Sequence, residues 1–226
     1  MCRNTQAVTS RRHHAPMISR VLTFLLLILP TAALGQTSPT DPTALPARDS
    51  HQDLLIAADP FISVDRYKDT FGKNSPYPAG IIAIEVFFRN DNNMPVRLNL
   101  NTIRLGISLP GVERQRLEPL SPEEVTDRAL LKADANPKLP RRFPFPTSGG
   151  GKSKAWNAMD TLLRSVAISS DVIAPRGVTH GFLFFDMNHD FEAIRHAHLY
   201  IPDLAFMTNN QAFLFFDLDL GATPAK

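Results

Sequence analysis

GIIAIEVFFRNDNNMPVRLNL, Gly80–Leu100, is the stretch whose reading decides the fold. Ile81 to Arg89 is a β-branched and aromatic run, the composition of a buried strand. Asn90-Asp91-Asn92-Asn93-Met94-Pro95 is dense turn chemistry, and Val96 to Leu100 alternates again with period two. Strand, turn, strand in immediate succession predicts antiparallel pairing. The first strand is apolar on both sides. Ile82, Ile84, Val86 and Phe88 share one face; Ile81, Ala83 and Phe87 share the other with Glu85. A strand between two packed sheets needs only one apolar face. Something must therefore cover the outer face of at least one sheet.

Outward from there, strands are expected over 61–67, 102–107, 178–186, 194–201 and 212–220. The pentapeptide FLFFD occurs at 182–186 and again at 213–217, and reads as two equivalent buried strands. The middle of the chain differs. Ser121-Pro122-Glu123-Glu124 places Pro at the first helical position and Glu at the third, a capping box that opens a helix to about Lys132. Trp156, Met159, Leu162, Leu163 and Val166 fall on one helical face, so a second helix is expected over 154–167. These two helices are the expected cover. Between them, NPKLPRRFPFP at 136–146 carries four prolines and is not regular structure.

The N-terminus speaks to compartment. Val21–Leu29 is apolar apart from Thr23 and is shorter than the roughly 20 residues a bilayer span requires. Arg20 precedes it, Pro30 ends it, and Ala33-Leu34-Gly35 offers small residues to a signal peptidase. Residues 1–35 are read as a secretory signal peptide, and the protein as periplasmic or secreted. Residues 36–53, polar with three prolines, are read as a flexible leader, and 54–221 as a single domain. The whole chain has 24 Lys+Arg and 22 Asp+Glu; the signal holds four arginines and no acid, leaving 20 against 22, a net charge of −2. Its basic balance thus belongs to the signal, which argues against nucleic acid as a partner. Cys2 is the only cysteine and lies in the signal, so no disulfide or thiolate metal site is expected.

A resemblance can be placed on two units: the Ile84–Ile107 strand–Asn-turn–Met-Pro-Val stretch, and Ile173-Ala-Pro-Arg-Gly177 ahead of the Gly-Phe-Leu-Phe-Phe-Asp strand. Together they resemble the small immunoglobulin-like β-sandwich domains of exported bacterial proteins, over roughly residues 60–110 and 170–220. The resemblance implies an antiparallel immunoglobulin-like β-sandwich, here with a two-helix insertion at about 121–168. It brings no catalytic residues.

Site chemistry is sparse. Pro146-Thr-Ser-Gly-Gly-Gly-Lys-Ser153 ends like a phosphate loop, but Pro146 stands where the first glycine belongs and no strand precedes it. No nucleotide is expected. Ser153 reads instead as a helix N-cap. His196 and His198 on one strand face would sit about 7 Å apart, a spacing that can hold a metal with His180, His189, Asp186 or Asp190 as a third ligand. The opposing reading puts Ile194, His196, His198 and Tyr200 on the more exposed face. Asp186-Met-Asn-His-Asp190 mimics the start of a calcium loop but lacks Gly at position six and Glu at position twelve. No nucleophile elbow and no acid–base constellation emerges. The expectation is an exported, non-enzymatic binding or structural module without a cofactor, its partner a protein or envelope component. Arg141, Arg142, Phe143 and Phe145 form its expected contact surface, since aromatic rings beside arginines favour recognition. The alternative is a metal-binding protein or metal-dependent hydrolase using His196 and His198.

Overall fold

The computed structural model describes residues 41–134 and 152–222. At its centre lies the strand the sequence pointed to, β3 (Ile81–Asn90). It is flanked by β2 (Leu54–Phe61) and β8 (Val178–Asp186), with β1 (Ala47–His51) outside β2, all antiparallel. Two further antiparallel sheets complete the described chain. One is small: β10 (Ala205–Phe206), β4 (Val96–Arg97) and β7 (Val172–Ile173). The other runs β11 (Phe216–Asp219), β9 (Ala197–Ile201), β5 (Arg104–Ile107) and β6 (Gln115–Leu117). The architecture is mainly antiparallel β in three sheets with a few short helices.

Both faces of β3 are buried, each differently. Ile82, Ile84, Val86 and Phe88 enter the main core with Leu54, Ile56, Leu183 and Phe185, joined there by Leu105, Leu199 and Leu218 of the third sheet. On the other side, Ile81 and Ala83 pack with Phe61, Phe182 and Phe184 beneath three helices. Helices α2 (Pro122–Asp134) and α3 (Lys154–Val166) lie close to the expected ranges and contribute Val125, Met159 and Leu163. Each fully buried side chain of this size contributes about 1.5–3 kcal/mol. The caps form as the sequence demanded. Ser121 N–H donates to Glu124 Oε2 at 2.8 Å, and Ser153 Oγ accepts from Trp156 N–H at 3.1 Å. The chain leaving α3 crosses so close to β8 that a Cβ on Gly181 would lie 2.8 Å from the Ile168 nitrogen.

The third covering helix, α1 (Val64–Phe71), corrects the strand expected over 61–67. That strand ends at Phe61. Ser63 caps a helix through the Arg66 N–H, Asp65 sits in its first turn, and Gly72 stops it at φ +56°. Tyr67 and Phe71, one turn apart, point into the sheet. The Tyr67 hydroxyl accepts from Ala83 N–H (2.6 Å) and donates to Ile81 O (3.2 Å). A side chain thereby continues the hydrogen-bond ladder of β3 where β2 runs out.

Other expectations shift in extent. The stretch read as a leader over 36–53 is described from Asp41, and Ala47–His51 is strand β1, closed onto β2 by Gln52 and Asp53, both at positive φ. That is the two-residue hairpin geometry that matches strand twist. The strand expected over 194–201 begins only at Ala197, because Phe191–His196 is a 3-10 helix. The second FLFFD is not the equivalent of the first. Phe182 to Phe185 are all buried, whereas Leu214 is 72% and Phe215 55% exposed, and regular pairing there starts at Phe216.

Asn90, fully buried, ties together the two units that carried the family resemblance. Its amide donates to Met94 O (2.8 Å), Ala174 O (3.1 Å) and Ile173 O (3.5 Å), and its carbonyl accepts from Asn92 N–H (3.0 Å). Arg176, at φ +52°, donates its backbone N–H to Asn92 O. The Asn-rich turn and the Pro-Arg-Gly turn are thus one hydrogen-bonded knot.

Candidate functional site

The third sheet buries one face and leaves the other open. Inward go Leu105, Leu199 and Leu218. Outward, the pairing aligns Arg104 with Tyr200 and Tyr200 with Asp217 in one row, and Arg116, Gly106, His198 and Asp219 in the next. Period two in each strand makes this segregation unavoidable once register is set. Across the outward rows runs a cleft of about 400 Å³, within the usual range for small-ligand sites of roughly 300–1,000 Å³.

Three guanidinium groups line the cleft. Arg104 is held in place: it donates to Asn101 O and Ile103 O and pairs with Glu118 at 3.0 Å. Arg114 lies over Gly106, where an added Cβ would stand 3.1 Å from its Nη2. Glycine is what leaves room for that arginine on the sheet. Among the described residues neither the Arg114 nor the Arg116 guanidinium makes a hydrogen bond or ion pair, and both residues are exposed. On the opposite side, the Tyr200 and Phe215 rings lie 5.3 Å apart, tilted by 44°, and present an apolar surface to solvent. Asp217, across from Tyr200 on the neighbouring strand, lies 3.5 Å from His198 Nδ1, an ion pair when the imidazole is protonated. The arrangement supplies fixed positive charge, an aromatic platform and one carboxylate acceptor.

A second polar cluster sits on the outer face of the first sheet. Asp59 and Glu85 are cross-strand neighbours. Arg66 clamps Asp59 with two bonds of 2.7 and 3.0 Å. Glu85 Oε1 lies 3.4 Å from His180 Nδ1, whose ring stacks on Phe87. Burial pushes the Glu85 carboxyl above the usual carboxylate range, against the opposing pull of His180. Glu85 was visible in the sequence as a polar interruption of an apolar face. Its partnership with His180 was not, because the pairing of β3 with β8 creates it.

Of the residues that strand alternation put on the exposed face, His198 and Tyr200 do lie on the open face of β9, whereas Ile194 and His196 belong to the 3-10 helix before it. His196 ends the 3-10 helix, exposed, its carbonyl accepting Ser108 N–H, while His198 is on β9; Ile194 is buried rather than exposed. Among the described residues no group of three or more His, Cys, Asp or Glu side chains is arranged to hold a metal ion. Asp186 is engaged otherwise, pairing with Arg128 and accepting from Asn188 N–H. Lys152, from the glycine-rich stretch, pairs with Glu123 and lies 3.4 Å over the Trp156 ring. Arg141, Arg142, Phe143 and Phe145 lie outside the described residues. Among the described residues no helix is long and apolar enough to cross a membrane. Comparison with protein families, curated proteins and solved structures found no match to this chain.

The cleft draws on residues 104–106, 114–116, 200 and 215–217, four separate segments. No sequence signal pointed to it: the second FLFFD reads as a buried strand, and Phe215 lines the cleft only because that expectation fails.

Proposed function

We propose that the chain is an exported, non-enzymatic binding module of the bacterial envelope, built as an immunoglobulin-like sandwich, that engages its partner through the open face of the third sheet. The observation carrying this reading is the cleft in which Arg114 and Arg116 stand uncommitted beside the Tyr200–Phe215 pair. Arginine stays charged at any ordinary pH and presents a rigid fork of donors, a device for recognition rather than proton transfer. Exposed aromatic rings add contact area at low entropic cost. Export is supported by the Val21–Leu29 apolar run and the Ala33-Leu34-Gly35 processing site. The sandwich reading is supported by inward residues of both four-stranded sheets sharing one hydrophobic cluster, and by the Asn90 knot.

The test is differential capture from bacterial envelope extract, with wild type beside an Arg114→Ala/Arg116→Ala/Phe215→Ala variant of unchanged thermal stability. Partners retained by wild type and lost by the variant are expected. Identical capture by both proteins would remove the third-sheet face from the proposal.

A further inference from the structure

We infer that the cleft on the third sheet is a binding site for an acidic saccharide, a sugar chain bearing carboxylate groups on its rings. The inference rests on the binding-face reading above and names its ligand. Three features have to be satisfied by one molecule. Arg114 and Arg116 lack anionic partners among the described residues, and a guanidinium fork matches a carboxylate with two parallel bonds. Tyr200 and Phe215 offer a tilted apolar surface open to solvent, on which a flat ring can rest its C–H face. Asp217 lies in the same cleft and favours a donor over another anion.

A simple phosphate or a polyanion without donors would meet Arg114 and Arg116 but be repelled by Asp217. A purely apolar ring would cover Phe215 and leave Arg114, Arg116 and Asp217 facing it. A sugar acid carries a carboxylate, hydroxyl donors and a C–H face within the dimensions of one ring. Its carboxylate falls to Arg114 and Arg116, a hydroxyl donates to Asp217, and the ring lies on Tyr200 and Phe215. Gly106 keeps the floor between the charged and aromatic walls free of a side chain. The cleft lies along a sheet face, so neighbouring units of a chain can extend beyond it.

The experiment is calorimetric titration of the protein as the cell processes it, with short oligomers of galacturonate, of alginate and of hyaluronan. Maltooligosaccharide and polyglutamate serve as the neutral and the ring-free controls. Binding to at least one acidic oligomer is expected, weakening with added salt and absent for maltooligosaccharide. Arg114→Ala and Arg116→Ala should each weaken it by at least about tenfold, the effect of losing a charged hydrogen bond. Phe215→Ala should weaken it without changing its salt dependence. Gly106→Ala should also weaken it, because its methyl group displaces only the flexible end of Arg114 and leaves the fold intact. Three results overturn the inference: no binding to any acidic oligomer, equal binding to polyglutamate, or binding unaffected by Arg114→Ala and Arg116→Ala in proteins of unchanged circular dichroism. If saccharide binding fails while the triple variant still loses envelope partners, the binding face stands and its ligand is a different one.

Discussion

Replacing Asn90 by alanine tests the knot that joins the two turns. The side chain is fully buried, and three of its hydrogen bonds are short: Met94 O at 2.8 Å, Ala174 O at 3.1 Å and Asn92 N–H at 3.0 Å. At about 1 kcal/mol per bond, alanine costs about 3 kcal/mol, before any desolvation of the abandoned carbonyls. For a domain of this size that lowers Tm by about 6–12 °C. Equilibrium urea denaturation and calorimetry read the change directly, and the m-value should stay constant. Asn90→Asp sharpens the argument. Its carboxylate keeps the acceptor for Asn92 but turns an oxygen toward the carbonyls of Met94, Ile173 and Ala174. Those dipoles disfavour the ionised form, so the folded-state pKa of the new Asp is raised. A raised folded pKa means stability present at low pH and lost as pH rises, so this variant should be closer to wild type at pH 4 than at pH 7. A cost for Asn90→Ala below about 1 kcal/mol, less than one ordinary hydrogen bond, would refute the reasoning. So would an Asn90→Asp variant whose deficit does not grow with pH.

Three further outcomes follow from the same structure. Tyr67→Phe leaves Ala83 N–H and Ile81 O unpaired in a buried site, and should lower unfolding free energy by about 1–3 kcal/mol in urea titrations; no measurable loss would mean that water replaces the hydroxyl. Glu85 carries a carboxyl raised by burial, so its contribution is present below its unfolded pKa and lost as pH rises through the folded one. The stability of Glu85→Gln relative to wild type should therefore be higher at pH 7 than at pH 4 in parallel denaturation curves; the reverse trend would make the His180 pair the dominant influence. Elemental analysis of the purified protein should find no stoichiometric zinc, since His196 and His198 have no third ligand arranged with them among the described residues; zinc lost on a His196→Ala/His198→Ala double substitution would revive the metal reading.

What was legible in the sequence was whatever a few neighbouring residues settle among themselves. The Ser121–Glu124 box and the Ser153 cap start helices because their side chains satisfy N–H groups three residues away. The two-faced burial of Ile81–Asn90, and the need for helices to cover it, followed from period two alone. Residues 61–67 show where this stops. Their loose alternation suits a strand, yet the Ser63 cap and the Tyr67–Phe71 spacing suit a helix, and burial against Ile81 and Ala83 decides for the helix.

The two copies of FLFFD separate the local from the non-local most plainly. Identical neighbours dictate the same tendency to extend, and both begin as candidate strands. At 182–185 the chain lies beside β3 with helices above and the main core below, so every side chain is covered. At 213–217 it reaches the edge of the third sheet, where Phe213 and Phe216 find the core and Leu214 and Phe215 find none. Strand pairing and the choice of which face receives a cover are contacts between residues far apart in the chain. The cleft of Arg104, Arg114, Arg116, Tyr200 and Asp217 is of the same kind: each residue reads as ordinary surface until the register of β5, β6, β9 and β11 sets them side by side.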